Sequence, residues 1–147
     1  VSSSTVPGVL AYMYAQLEAA LPGVQTVNGP PLQNMQADYV AFPYNDGNAA
    51  VVLAQSIEDM AGEQDFESYD VIGTAVSWRG DPAEFATAVD TVYANVDKLQ
   101  TVFDSDRTLG DRVQLSNFAT SEMTPLETAK GPVVVLAWSI HVEAWRQ

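Results

Sequence analysis

The chain has 147 residues, with nineteen acids against six bases and no cysteine. That length suits one domain with a core of its own, and the missing thiols exclude disulfides and cysteine-ligated metals. A formal net charge of −13 excludes nucleic-acid or anionic-membrane binding through a basic patch.

Residues 1–78 hold nine of the acids and no lysine or arginine, while 79–147 hold ten acids and all six bases. No apolar run approaches the ~20 residues of a membrane-spanning helix. The start, VSSSTVPGVLAYMY, lacks the basic region of a secretory signal. It is expected to be a mature cytosolic start after loss of the initiator methionine.

In chain order, SSSTVPGVLAYMYAQLEAALPG predicts a helix. Ser4 or Thr5 caps it, Pro7 suits its first turn, and Leu10, Met13, Leu17 and Leu21 form one apolar stripe. VQTVNGPPL predicts a strand running into an Asn-Gly turn. DYVAFPY predicts a second strand, with Pro43 marking an edge or a strand end. A turn at Asp46-Gly47-Asn48 leads into a third strand, AAVVLAQSI. The acidic stretch from 58 to 70 carries six acids and no base, and reads as a loop. YDVIGTAVSW then predicts a long strand in which Gly73 marks a bulge.

Asp81-Pro82-Ala83-Glu84 reads as a variant capping box at the start of the second helix. Phe85, Val89, Val92, Val96, Leu99 and Phe103 step by three and four along it, a stripe meant for a sheet. RVQLSNFAT alternates as a strand, and SEMTPLETAKGP reads as a loop or the tip of a long hairpin. VVVLAWSIHVEAW closes the chain, with Val134, Leu136, Trp138, Ile140 and Val142 on one face and Ser139, His141 and Glu143 on the other. The expected fold is therefore α+β: a mixed, mostly antiparallel sheet of about five or six strands, with two main helices packed on one face.

Chemistry is sparse. DSDRTLGDRVQLSNF, from Asp104 to Phe118, fails as a calcium loop. Counting from Asp104, Leu109 stands where that loop needs glycine, Leu115 stands where it needs glutamate, and Arg107 and Arg112 oppose a dication. A Ser-His-Asp relay could use only His141, and its strand neighbours Ser139 and Glu143 each lie about 7 Å from it along the strand, too far for a direct relay. No Walker loop, dinucleotide glycine pattern or HExxH is present. The expectation is no enzyme, no cofactor, no metal and no catalytic residue.

Four pieces together resemble tail terminator proteins of long-tailed (siphovirus-like) bacteriophages, of the type found in actinobacterial phages and prophages. VPGVLAYMYAQLEAALPGVQTVNGPPL is similar to that family's first helix and extended Gly-Pro-Pro segment. WRGDPAEFATAVDTVYANVDKL resembles its long second helix, reached through a tryptophan and a Gly-Asp step. DSDRTLGDRV resembles its helix-to-strand junction, often written Asp-Pro-Thr-Leu-Gly-Gly, with Arg107 in place of the proline and Asp111 in place of the second glycine. ETAKGPVVVLAWSIHVEAW resembles its closing strand.

The resemblance covers most of the chain and implies a structural role. A homo-hexameric ring caps the head-proximal end of the tail tube, stops its growth and offers a docking surface to head and neck connector proteins. Its partners would be the tail tube protein and those connectors, its place the tail–neck junction of the virion. Viral DNA would pass through the lumen without specific binding, and no membrane is involved. Glu58, Asp59, Glu63, Asp65 and Glu67 are the candidates for lumen or docking-face acids, on a projecting loop. Leu109 and Gly110 are expected as a structural hinge, an anchor followed by a reversal. Two alternatives stay open: another neck, head–tail connector or minor tail protein, and a small α+β enzyme or ligand-binding domain.

Overall fold

The computed structural model describes residues 4–32, 35–58, 65–128 and 131–145. The elements are α1 (Val6–Ala20), β1 (Gln25–Asn28), β2 (Asp38–Phe42), β3 (Val51–Glu58) and β4 (Asp65–Trp78). A 3-10 turn at Pro82–Glu84 runs into α2 (Phe85–Asp104), followed by β5 (Leu115–Thr128) and β6 (Gly131–Trp145). The fold is α+β, as the order of periodicities implies.

Six strands form one sheet in the order β1-β2-β4-β6-β5, with β3 beside β2 along the same flank of β4. Here β4 is long enough to serve two partners: 74–77 pair with β2 and 65–71 pair with β3. Only β1 and β2 run parallel; the remaining four pairings are antiparallel. Pro43 falls one residue past β2, which is an interior strand, so the missing N–H interrupts no ladder.

Both helices lie on one face of this sheet. Strand β6 shows why, because its alternate residues Val134, Leu136, Trp138, Ile140, Val142 and Ala144 are all buried. From α1 come Val9, Met13, Leu17 and Leu21, and from α2 come Ala88, Val92, Val96, Leu99 and Phe103. The stripe of α2 is thus displaced at its start. Phe85 is exposed and Val89 only half-buried, while Ala88 and Asn95 face inward. A straight helix packed across a twisted sheet contacts it over a stripe that drifts from a strict step of three and four.

Trp138 organises the centre. Its ring stacks between Phe42 of β2 at 5.2 Å and Phe118 of β5 at 5.3 Å, and Phe118 in turn stacks on Phe103 of α2 at 6.1 Å. Gly73 is directly opposite Trp138 in the register. A Cβ there would lie 2.2 Å from Trp138 Cζ2. The expected bulge at Gly73 is therefore corrected: the pairing runs in register through it, and the glycine makes room for an indole.

The acidic stretch, expected as a loop, is strand at both its described ends, and of the two readings of 121–132 the structure shows the long hairpin. In the acidic stretch, Glu58 ends β3 and Asp65 begins β4, and the two are register partners. After 120, β5 continues to Thr128 as one arm of a long hairpin with β6, with a register irregularity between Thr120 and Met123. Strong backbone pairing overrides the weak strand propensity of Ser, Glu and Pro on those arms.

Candidate functional site

Helices cover one face of the sheet, and the other carries side chains aligned across the strands. Rows of residues can be read straight across β4, β6 and β5. Trp78, Val133 and Leu126 form one row; Val76, Val135 and Thr124 the next. Further along come Asp70, His141 and Asn117, then Ser68, Glu143 and Leu115, and Phe66 with Trp145 at the end. The rows are apolar at both ends and polar in the middle. Leu115 is 42% exposed, Leu126 50% and Trp145 39%, and Phe66 meets the Trp145 ring edge-on at 5.4 Å.

The polar middle contains the sole histidine. His141 Nδ1 lies 2.7 Å from Asp70 Oδ1 across the strands, and Nε2 lies 3.9 Å from Glu143 Oε1. Both ring nitrogens are turned toward carboxylates, so a serine nucleophile would have to displace one of them. All three side chains are about 40% exposed, and a solvated pair of this kind contributes at most about 1 kcal/mol. A shallow recess of about 320 Å³ lies beside it, lined by Asn45, Asp70, Ile72, Ser121, Glu122, Ala137 and Ser139 among others. Sequence spacing had offered only Ser139 and Glu143 as neighbours; Asp70 reaches His141 through strand pairing across 71 residues.

The five candidate acids do not form one group. Asp59 and Glu63 lie outside the described residues. Glu58 and Asp65 are register partners at the end of the β3–β4 pair. Glu67 is corrected: it is 3% exposed and points into the fold, not away from it. One of its oxygens accepts the Thr5 backbone N–H and the Thr5 hydroxyl, each at 2.7 Å, and Ser4 Oγ donates to the carboxylate at 3.1 Å. Thr5 is the N-cap of α1, yet its side chain caps nothing within the helix. The acceptor that a helix N-terminus favours comes instead from β4. Thr5 Oγ1 also meets the Tyr69 hydroxyl at 2.9 Å. Burial pushes the Tyr69 phenol up to about 12, with the Glu67 charge adding to the rise and the Thr5 hydrogen bond opposing it.

The α2–β5 junction holds the other two named residues. Leu109 is fully buried with φ +50, and Gly110 and Asp111 follow at φ +66 and +65. Three consecutive left-handed residues reverse the chain, and two of them are not glycine. Asp106 holds the reversal together: Oδ1 accepts the Gly110 N–H at 3.0 Å, and Oδ2 accepts the Tyr12 hydroxyl of α1. That hydrogen bond raises the Tyr12 phenol above its ordinary value. Arg112 stacks over the Tyr12 ring at 4.3 Å, and Arg107 pairs with Asp104 at 3.6 Å. The Asp106 carboxylate is thus engaged by an N–H and an O–H donor, which suits a fastening between α1 and the junction. The family-like glycine position occupied by Asp111 is in the left-handed region a glycine would prefer.

A second fastening was not visible in the sequence. Asp38 at the start of β2 accepts Ser77 Oγ at 2.6 Å and pairs with Arg79 at 3.4 Å, and Arg79 reaches Thr91 Oγ1 on α2 at 3.1 Å. Arg79 Nε is buried with no hydrogen-bond partner.

No protein-family model matches the chain, and no curated protein matches it. Among solved structures, a chain of the "Virion of native gene transfer agent (GTA) particle" is similar, with 18% identity, coverage of 97% of this chain and 100% of that chain, and a TM-score of 0.46.

Proposed function

We propose that the protein is a structural component of a bacteriophage-type virion, and specifically a tail terminator. In this reading six copies close into a ring on the head-proximal end of the tail tube, stop its growth and present a different surface to head and neck proteins. The observation that carries it is the one-sided sheet. Helices cover one face, burying the inward residues of β4 and β6, while the other exposes Leu115, Leu126 and Trp145, the composition of a surface for protein contacts. The sequence resemblance supports the same reading: its four pieces supply α1 and β1, α2, the left-handed junction, and β6, which together frame the sheet.

The physical logic is that of a growing end. Head-to-tail contacts extend a tube until something matches the exposed end on one side and differs on the other. A ring of six would hold about −78 formal charges, six times −13. Acids facing a lumen would keep passing DNA from sticking, over a range of about 8 Å at physiological salt. Glu58 and Asp65, register partners at the end of the β3–β4 pair, and Asp59 and Glu63, between them in sequence, are the acids assigned to that lumen or to the docking face.

Native mass spectrometry across a concentration series, with negative-stain images of the largest species, tests the ring. Incubation with purified tail tubes then tests capping. A hexamer with an open centre that arrests tube extension is the expected result. A protein that stays monomeric alone and leaves tube growth unchanged would refute the assignment.

A further inference from the structure

Among the described residues the sheet has three edge strands, the four-residue β1 and the longer β3 on one flank and β5 on the other. On one flank β3 pairs only with β4 among the described residues; on the other β5 pairs only with β6. Each therefore offers a row of backbone N–H and C=O groups, which is a template for another strand. Natural edges are normally protected by charge, proline or a bulge. The second half of β5 has all three: the irregularity between Thr120 and Met123, then Glu122, Pro125 and Glu127. Its first half has none. Leu115–Ser121 falls in the charge-free segment 113–121; β3 up to Ile57 falls in the charge-free segment 47–57 and has neither charge nor proline, only a register irregularity between Leu53 and Gln55. In a chain of net charge −13, two copies repel wherever acids meet, so an edge-to-edge contact is favoured where both edges are free of acids.

From these two edges we infer that the occupant of each is a second copy of this chain, with β3 of one copy pairing with the first half of β5 of the next. The inference deepens the ring reading and rests on it. The two strands are on opposite flanks of one sheet, so each copy uses β3 toward one neighbour and β5 toward the other. Such a heterologous contact propagates head to tail and ends only by closing. The eight residues of β3 and the stretch Leu115–Ser121 are nearly equal in length, so most edge groups on both find partners. The one-sided sheet then becomes continuous around the ring.

The natural absence of cysteine makes the test direct. Val52, Leu115, Asn117 and Ala119 all project on the helix-free face, Val52 beside Asp70 and the others beside Glu143, His141 and Ser139. Val52→Cys is combined in the full chain with Leu115→Cys, Asn117→Cys or Ala119→Cys, and each variant is oxidised and run without reductant. Within one copy the two strands are separated by β4 and β6, roughly 14 Å in all, too far for a disulfide. Circular dichroism establishes that each variant folds, and native mass establishes whether it forms the ring.

The expected result is that at least one double variant gives a ladder ending at six copies, while every single variant stays uncross-linked. Dimers from Asn117→Cys alone would overturn the inference in favour of β5 pairing with itself. A hexamer by native mass with no ladder from any double variant would overturn it while leaving the ring intact. A monomer at every concentration and on tubes would overturn both.

Discussion

Glu67 and Thr5 are joined by two 2.7 Å hydrogen bonds, from the Thr5 backbone N–H and from its hydroxyl, across 62 residues of chain. This contact pins the first turn of α1 to the middle strand of the sheet. A buried carboxylate at a helix N-terminus is stabilised there by the N–H groups that have no partner inside the helix.

Replacing Glu67 by Gln keeps the shape but weakens charge-assisted bonds, and Glu67→Ala leaves the Thr5 N–H without its acceptor. Expected losses are about 1–2 kcal/mol for Gln and about 2–3 kcal/mol for Ala. Urea unfolding measures both. The Thr5→Ala/Glu67→Ala pair should be non-additive. Additive effects would show that the two residues do not share one interaction.

Gly73 and Trp138 make the second prediction. With the ideal Cβ of Gly73 2.2 Å from Cζ2 of the indole, Gly73→Ala must move a ring held between Phe42 and Phe118. Overpacking of this kind costs about 1–3 kcal/mol. The Gly73→Ala/Trp138→Leu double variant should lose less than the sum of the two single losses, measured by denaturation and by aromatic near-ultraviolet dichroism. An unaltered spectrum and stability for Gly73→Ala alone would refute the close packing.

At the junction, Asp111 has φ +65 and a side chain in reach of the Thr108 hydroxyl at 3.3 Å. Asp111→Gly relieves the left-handed strain and loses that contact, so its stability should match or exceed the parent. Asp111→Val keeps the strain and adds β-branching, and should lose about 1–2 kcal/mol. A reversed order would show that the Thr108 contact outweighs backbone strain.

Tyr69 predicts alkaline behaviour. Burial raises its phenol to about 12 in the fold, against about 10 unfolded. A proton held more tightly in the native state means the contribution is complete below pH 10 and is lost as pH rises toward 12. The two-unit difference corresponds to roughly 3 kcal/mol. Ultraviolet titration should show Tyr69 ionising last of the six tyrosines, after Tyr12, Tyr39 and Tyr44, whose phenols are also raised, and together with unfolding. Tyr69→Phe should flatten the decline in stability between pH 10 and 12; an unchanged slope would assign that decline to another group.

Much of this molecule is legible in order. The stripe Leu10, Met13, Leu17 and Leu21 states a helix with one buried face, although Leu10 is only half-buried and Val9 is in the core instead, and the alternation from Val134 to Val142 states a strand covered on one side. Those are local signals, because periods of 3.6 and 2 are properties of the backbone alone. The element order and the α+β class follow from them. Gly110 as a point of reversal is also local, since a left-handed position beside a helix end favours glycine.

What the tertiary structure decided lies between elements. Glu67 reads as one acid among six in a stretch suited to a loop, and only pairing in β4 turns it inward beneath the start of α1. Gly73 reads as a bulge because nothing nearby shows that Trp138 is opposite it. Asp70 and His141 become neighbours only when β4 and β6 fix their register. Period and propensity report what a residue does to its own turn or strand; the partner across the sheet is set by register, which depends on how all six strands bury one face together.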